Sequence, residues 1–513
     1  MKGFEIFAES LNKLGIEKIF GNPGTTEIPM LRGIKDYVLT LHDSISLGMA
    51  DGLSQISRKP ALCNLHTLPG LGNSMAFLHT ASANRSPVIV TAGQQDYRHI
   101  FYDPILSGDL TGLVSNFVKY RFEIKNTADI YRSLKRAYQV AMTPPMGPVF
   151  LSFPMNMMDQ DYEELFEEFS GVNHSYVNHE AVTEIADEIN QSRNPAIVFG
   201  SEIDLYGAFN EAVEFAHRIG CPVYGEPLSS RGCYPTDDSQ FAGDLPPASA
   251  LINIRFASND LILIIGGDMT LYPYTPSPLL AGKKVIVVGT DISGRIGTGY
   301  VMNPKLFLRE AVKLVKHKSS FTRQTDFAAR TATAMASKRM EPLFVMSRIR
   351  KIFEDHTIVD ESISASQILR AVIGYRPDSY FTAKTGQLGW ALPAASGIST
   401  FRKKVLCILG DGSFMYTLQT LWTIRKYNLP VKVVILNNGG YMILRSFAKS
   451  YYPDMENREF LMPEMDIPKL VESFHIPVEI GDPKLENLEW LHTGEEPKVL
   501  VVNSRFDIPK MFL

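Results

Sequence analysis

The sequence predicts an α/β protein of three parallel-sheet domains. Three observations predict it: short apolar runs end repeatedly in Gly, Asn or His before a helix-like segment, two polar stretches interrupt that rhythm, and the chain is 513 residues long. One hydrophobic core seldom serves more than ~250–300 residues, so a chain of this length divides into domains of ~100–200 residues. Strands buried on both faces read as continuous apolar runs, and their alternation with helices is the pattern of a parallel layer structure.

In the first block, 1–158, the runs are KIFGNPG (18–24), ALCNLHTLPG (61–70), SPVIVTAGQQ (86–95) and GPVFLSFP (147–154). The acidic stretch 159–171 then reads as a solvated connector. The second block, 180–315, carries NPAIVFGSEID (194–204), DLILIIGGD (260–268) and KKVIVVGTDIS (283–293). Its glycines suggest nucleotide-fold ancestry, but no strand carries GxGxxG, so no dinucleotide is expected there. Polar residues 315–341 form a second connector. The third block, 345–513, contains KKVLCILGDGS (403–413) and LPVKVVILNNGGY (429–441).

Composition excludes several functions. The net charge of −4 offers no basic excess for a phosphate backbone, so nucleic acid is not an expected partner. No apolar leader and no run of about 18 apolar residues is present, so neither a signal peptide nor a membrane span is expected and the cytoplasm is the expected location. Cys63, Cys221, Cys233 and Cys407 lack CxxC spacing, which argues against a disulfide framework or a cysteine zinc site.

The strongest motif is in the third block. Gly410-Asp411-Gly412 ends one apolar strand and Asn437-Asn438 ends the next, with residues 413–436 between them. Both therefore sit at strand carboxyl ends, where open α/β sheets bind ligands. A helix expected to begin at Ser413 points its free N–H groups and positive dipole end at the same place, which favours phosphate. Asp411 and Asn438 supply hard oxygen donors suited to a magnesium ion on a diphosphate. Either motif alone reads as a loop turn; the pair after two apolar strands reads as a metal-diphosphate site.

GDGS (410–413) followed by NNGGY (437–441) resembles the thiamine-diphosphate fingerprint. GNPGTTE (21–27), Ala50-Asp51-Gly52, SRKPA (57–61), NLH (64–66), SPVIVTAGQQ (86–95), LGWALPAA (388–395) and LWTIRKYNLP (421–430) are similar to the thiamine-diphosphate-dependent 2-oxo-acid decarboxylases of the benzoylformate decarboxylase type. The resemblance implies thiamine diphosphate and Mg2+ as cofactors, with Asp411, Asn438 and the Gly440 carbonyl as metal ligands. It implies diphosphate contacts from Ser413 and Ser364 beside Gly412, a pyrimidine contact from the Gly386 carbonyl, Leu388 as the apolar wedge under the cofactor, and Tyr441 beside it. It also implies a homodimer or homotetramer whose sites lie between subunits.

Catalytic residues follow from the same resemblance, with departures. Asp43 stands where the family has a glutamate bonded to the pyrimidine ring; its place before SISLGMADGLSQI also suits a helix N-cap. His66 matches a histidine facing the reacting carbon, and Thr25 stands where the family has a serine that bonds substrate oxygen. The family's middle-domain histidine is replaced in GGDMTLYPYTPS (266–277): Pro273 is the nearest match, between Tyr272 and Tyr274. His42, His79 and His99 read as structural. Tyr272, Ile443, Leu444 and Phe447 are candidates to line an apolar pocket for the substrate. The expected activity is non-oxidative decarboxylation of a 2-oxo acid to an aldehyde. The alternatives are an acetolactate-synthase-like carboligase and a cofactor-binding protein of weak activity.

Overall fold

The computed structural model describes residues 1–169, 171–272, 277–292, 296–318, 320–322, 333, 335, 340–455 and 460–504. They form three six-stranded sheets whose strand pairs are all parallel. The first comprises β1 (Ile19–Asn22), β2 (Tyr37–Leu39), β3 (Ala61–Leu65), β4 (Val88–Gln94), β5 (Arg121–Glu123) and β6 (Val149–Pro154). The second comprises β7 (Pro195–Phe199), β8 (Val223–Gly225), β9 (Phe241–Asp244), β10 (Leu261–Ile265), β11 (Lys284–Gly289) and β12 (Thr298–Val301). The third comprises β13 (Thr357–Glu361), β14 (Tyr380–Phe381), β15 (Val405–Gly410), β16 (Val431–Asn437), β17 (Val478–Ile480) and β18 (Lys498–Asn503). Every apolar run read from the sequence is a strand, and β3, β4, β7 and β10 are buried along their whole length.

The first sheet runs β2-β1-β3-β4-β6-β5 and the third β14-β13-β15-β16-β18-β17, the same topology repeated. Their carboxyl-end loops are thus equivalent places. The middle sheet, β12-β11-β10-β7-β8-β9, has the doubly wound dinucleotide-fold order, as its glycines suggested. At its switch point, however, β7 and β10 close on each other: a Cβ at Gly200 would lie 2.1 Å from the Gly267 Cα.

First and third domains share one hydrophobic core. Helix α1 (Asp43–Ser57) crosses α2 (Ala391–Ser399) so closely that a Cβ at Gly52 would meet the Ala394 carbonyl at 2.2 Å, and one at Gly397 the Met49 carbonyl at 1.9 Å. Trp390 Nε1 donates to Asp51 Oδ2 across this contact at 2.7 Å. All three domains meet at buried Arg231, which donates to Asp204 Oδ2 (2.9 Å), the Gln55 carbonyl (3.0 Å) and Asp378 Oδ1 (3.1 Å). The acidic connector is not the solvated strap expected. Phe166 and Phe169 pack edge-on against Tyr131 and Tyr138, at 4.9 and 4.8 Å, so two aromatic rings pin an otherwise charged segment to the first domain. Most of the second connector lies outside the described residues. All four cysteines are buried and free, and no helix among the described residues is long and apolar enough to cross a membrane.

Candidate active site

Loops after β13, β15 and β16 form one cluster. The register pairs Gly410 with Leu436, so Asp411 emerges level with the Asn437-Asn438 turn. Asp411 Oδ2 accepts from the Gly439 N–H at 2.7 Å and Oδ1 from the Gly412 N–H at 2.9 Å, which ties the two loops together. Asn438 Oδ1 accepts from the Gly440 N–H at 3.3 Å. Burial pushes the Asp411 carboxyl above its usual range although backbone N–H groups oppose it, an environment that a divalent cation relieves. The helix after the motif, α3, runs Asp411–Thr417, so it starts at Asp411 and not at Ser413 as expected. Gly412 is a helical residue: a Cβ there would strike the Tyr441 ring at 2.8 Å, so its glycine serves packing and does not break the helix. Ser413 Oγ reaches the Glu361 carbonyl at 3.4 Å.

Ser364 sits in the single turn Ile363–Ala365 after β13. Ile363 holds φ +38°, a left-handed conformation that a β-branched residue adopts only under strain. Glu361, buried at the end of β13, accepts from the Gly389 and Ala391 N–H groups, the latter at 2.7 Å. Burial nonetheless pushes its pKa up to about 7. These bonds fix the turn carrying Gly386 (φ +70°) and Leu388. Cβ atoms built on Gly386, Gly410 and Gly439 would point into open space. Ile443, Leu444 and Phe447 lie on α4 (Met442–Tyr451), where Phe447 packs on Tyr451 at 4.8 Å between ring centroids.

The equivalent loops of the first sheet form a second cluster. Asp43 is 4% exposed at the first position of α1; its Oδ2 accepts from Asn22 Nδ2 at 3.3 Å, and its Oδ1 is buried with no hydrogen-bond partner among the described residues. The capping role that the place of Asp43 also suited belongs to His42, whose Nδ1 accepts from the Ser44 N–H at 3.3 Å. That frees the Asp43 carboxylate for something else. His66, at the end of β3, bonds Glu27 Oε2 through Nδ1 at 2.7 Å. The Glu27 bond holds the imidazole above its ordinary pKa, against the opposing effect of burial.

Glu27, absent from the expected residues, organises this cluster. Fully buried, it also accepts from the Gly24 N–H, the Gly93 N–H and Thr26 Oγ1, each at 2.8 Å. Glycines leave room for these groups: a Cβ at Gly24 would lie 2.1 Å from the His66 ring, one at Gly70 2.3 Å from Asp43 Oδ1, and one at Gly93 2.3 Å from Glu27 Oε1. Thr67, next to His66, has φ +44°; with Ile363 it completes the β-branched residues of positive φ among the described residues, one at each cluster. Thr25 is exposed on the rim, while its neighbour Thr26 is buried with its hydroxyl 3.2 Å from His66 Nδ1.

Among the described residues, no hydrogen bond or ion pair joins the Asp43–Glu27–His66 cluster to the Asp411–Asn438 cluster within one chain. Tyr272 is half-exposed in the middle domain, its N–H donating to the Pro247 carbonyl at 2.6 Å; Pro273 and Tyr274 lie outside the described residues. At the middle-sheet switch point, ion pairs fill the crevice: Arg85 with Glu202, and Lys384 with Glu226 at 3.3 Å. A buried unpaired carboxylate oxygen, a strained serine turn, open-faced glycines and an Asp–Asn loop of hard oxygen donors together have the chemistry to fit thiamine diphosphate with Mg2+.

Comparison with known proteins agrees on the thiamine cofactor. Family models for thiamine pyrophosphate enzymes match at three places: the N-terminal TPP binding domain over residues 1–105, the central domain over 182–315 and the C-terminal TPP binding domain over 363–500. The chain is 33% identical to a benzoylformate decarboxylase of Pseudomonas aeruginosa, over 86% of each chain. It is 24% identical to the acetolactate synthase large subunit of Haemophilus influenzae, over 94% of this chain and 90% of that one. Its fold superposes on the thiamine diphosphate-dependent 4-hydroxybenzoylformate decarboxylase of Rhodococcus jostii with a TM-score of 0.93 and 29% identity, covering 99% of this chain and 100% of the other.

Proposed function

Because this chain belongs to the thiamine pyrophosphate enzyme family through all three of its domains, we propose that it decarboxylates a 2-oxo acid non-oxidatively with thiamine diphosphate and Mg2+. The 2-oxo acid and one proton become CO2 and an aldehyde. We take 1–158, 180–315 and 345–513 as its domain divisions.

The observation that carries this reading is Asp43 Oδ1, buried without a partner on the rim that also holds His66. An orphaned carboxylate oxygen costs free energy unless a donor bonds it, and a protonated pyrimidine ring nitrogen, its N–H donating to Oδ1, is such a donor. Bound thiamine diphosphate supplies the electron sink for the electrons released with CO2. Asp411, Asn438 and the Gly440 carbonyl hold the metal, Ser364, Gly412 and Ser413 meet the diphosphate, and Gly386, Leu388 and Tyr441 flank the rings. Glu27 fixes the Nδ1 proton of His66, so Nε2 is the nitrogen left to bond the substrate carboxylate or pass a proton. Thr25 offers its hydroxyl to substrate oxygen, and Tyr272, Ile443, Leu444 and Phe447 line the pocket.

A second copy completes the site in this reading. Two observations support it: no hydrogen bond or ion pair among the described residues joins the two clusters within one chain, and beyond β4, on the His66 rim, Phe101, Tyr102 and Ile105 are 88%, 79% and 82% exposed. An apolar loop of this kind fits a subunit contact.

Carboligation of two carbonyl compounds is a second reading, supported by likeness to an acetolactate synthase along most of the chain. CO2 release and product identity are measured with phenylglyoxylate, pyruvate and branched-chain 2-oxo acids. Aldehyde equal to CO2 is expected; ketol product instead would move the assignment to the second reading, and cofactor binding without turnover of any acid would defeat both. Asp411→Ala is expected to weaken thiamine diphosphate retention by about 100-fold or more, at or above the top of the roughly 10- to 100-fold loss typical of outer-shell partners of a metal.

A further inference from the structure

The amino-terminal end of the third sheet, opposite the loops just described, gathers side chains that the proposed reaction does not use. His356, buried, leads into β13; Asp355, half-exposed, precedes it; His492 ends helix α5 (Leu488–His492), which leads toward β18. One ligand atom from each, an imidazole nitrogen or a carboxylate oxygen, lies within 4.8 Å of the other two. The imidazole centroids are 5.2 Å apart, and the Phe353 ring meets both edge-on at 4.9 and 5.3 Å, holding them side by side. His356 Nδ1 and Asp355 Oδ1 are 2.8 Å apart. At ~3.3 Å per residue, the length of β13 puts this cluster about 17 Å from the opposite end of the sheet.

We propose that Asp355, His356 and His492 form a site for a divalent transition ion of the zinc class, separate from the reaction centre. Two imidazoles and a carboxylate suit such an ion, with water in the remaining position, whereas Mg2+ prefers oxygen donors alone. Zinc bonds of ~2.0–2.2 Å set tetrahedral donors about 3.3 Å apart, so donors now up to 4.8 Å apart close by at most about 1.5 Å. Asp355 is exposed and His492 partly exposed, so solvent borders the two side chains that would supply that movement. Lys404 Nζ now contacts Asp355 Oδ2 and is the competing cation. Its side chain is 61% exposed, so the ammonium turns to water when an ion displaces it. The ion would clamp the entry to β13 onto α5, adding stability by mass action.

The test uses the full chain saturated with thiamine diphosphate and Mg2+, titrated with Zn2+ against a chromophoric chelator. Roughly one added Zn2+ per chain is expected, with affinity lower by about tenfold or more in His492→Ala and in Asp355→Asn. Co2+ in place of Zn2+ is expected to give visible bands in the parent and not in His492→Ala. Zn2+ is expected to raise the thermal midpoint of the parent alone. Absence of saturable Zn2+ binding in the parent, or affinity undiminished in both variants, would overturn the proposal; cofactor binding in each variant reports whether it has folded.

Discussion

Asp43→Asn tests the central contact with the least change of shape. The asparagine keeps the bond from Asn22 through its own carbonyl and puts an amide where Oδ1 lies buried and unpaired. If Oδ1 serves the pyrimidine, the variant loses a hydrogen bond involving a charged group, worth about 1.5–3 kcal/mol. At ~1.4 kcal/mol per factor of ten, the rate falls about 10- to 150-fold. Stability without cofactor should move little. The variant forfeits about 0.3–1 kcal/mol of helix-dipole attraction at the start of α1, but it no longer buries an unpaired carboxylate. The cap itself is untouched because His42 supplies it. The assay is aldehyde formation coupled to NADH oxidation by alcohol dehydrogenase, on the acid that the panel identifies. Unfolding of the cofactor-free chain is followed in parallel by circular dichroism. A rate within about threefold of the parent, or a rate loss matched by an equal loss of apo stability, would refute the assignment.

Other perturbations separate the remaining roles. Glu27→Gln removes the partner that raises the His66 pKa. A raised imidazole keeps its proton to higher pH and loses it as pH passes the folded value, so the His66 limb of kcat/KM should move to lower pH; a limb that stays put counts against the pair. Gly70→Ala would set a Cβ 2.3 Å from Asp43 Oδ1, with an overpacking cost of about 1–3 kcal/mol. Calorimetry should then show weaker thiamine diphosphate binding, and parental affinity would exclude any role for this crowding. Glu361, pushed up to about 7 by burial, is protonated when folded and ionised when unfolded between roughly pH 4.5 and 7. Its contribution is therefore present below the unfolded pKa and lost as pH rises through the folded one, a fall on the order of 3 kcal/mol. Denaturant unfolding at set pH should show that slope in the parent and a flatter one in Glu361→Gln, and equal slopes would rule Glu361 out as its source.

How far the sequence reaches depends on where each residue's partners come from. β3, β4, β7 and β10 are legible because strands buried on both faces are unbroken apolar runs. β5, reading Arg-Phe-Glu on an edge, and the two-residue β14 carry no such run and draw their structure from neighbours. Asp411 and Asn438 stand out because each directly follows its strand, so position along the chain is position in the site. Glu27 does not, because its partners His66 and Gly93 are 39 and 66 residues away and only the sheet brings them together. The two misread helix starts share a cause. Local rules assign an aspartate before a helix to its cap and a glycine to a break, yet His42 takes the cap of α1 and Gly412 is helical because Tyr441 needs its space. Strain is hidden more deeply. Propensity alone sends Thr67 and Ile363 to strands, and both instead hold positive φ where the chain turns from a strand end into a cluster. Such conformations persist only where surroundings over-determine them. Here the surroundings are the Glu27 bond to His66 beside Thr67, and the backbone bonds to Glu361 beside Ile363. Two buried glutamates, Glu27 at the end of GNPGTTE and Glu361 outside every quoted motif, therefore hold in shape the two loops to which the motifs drew attention.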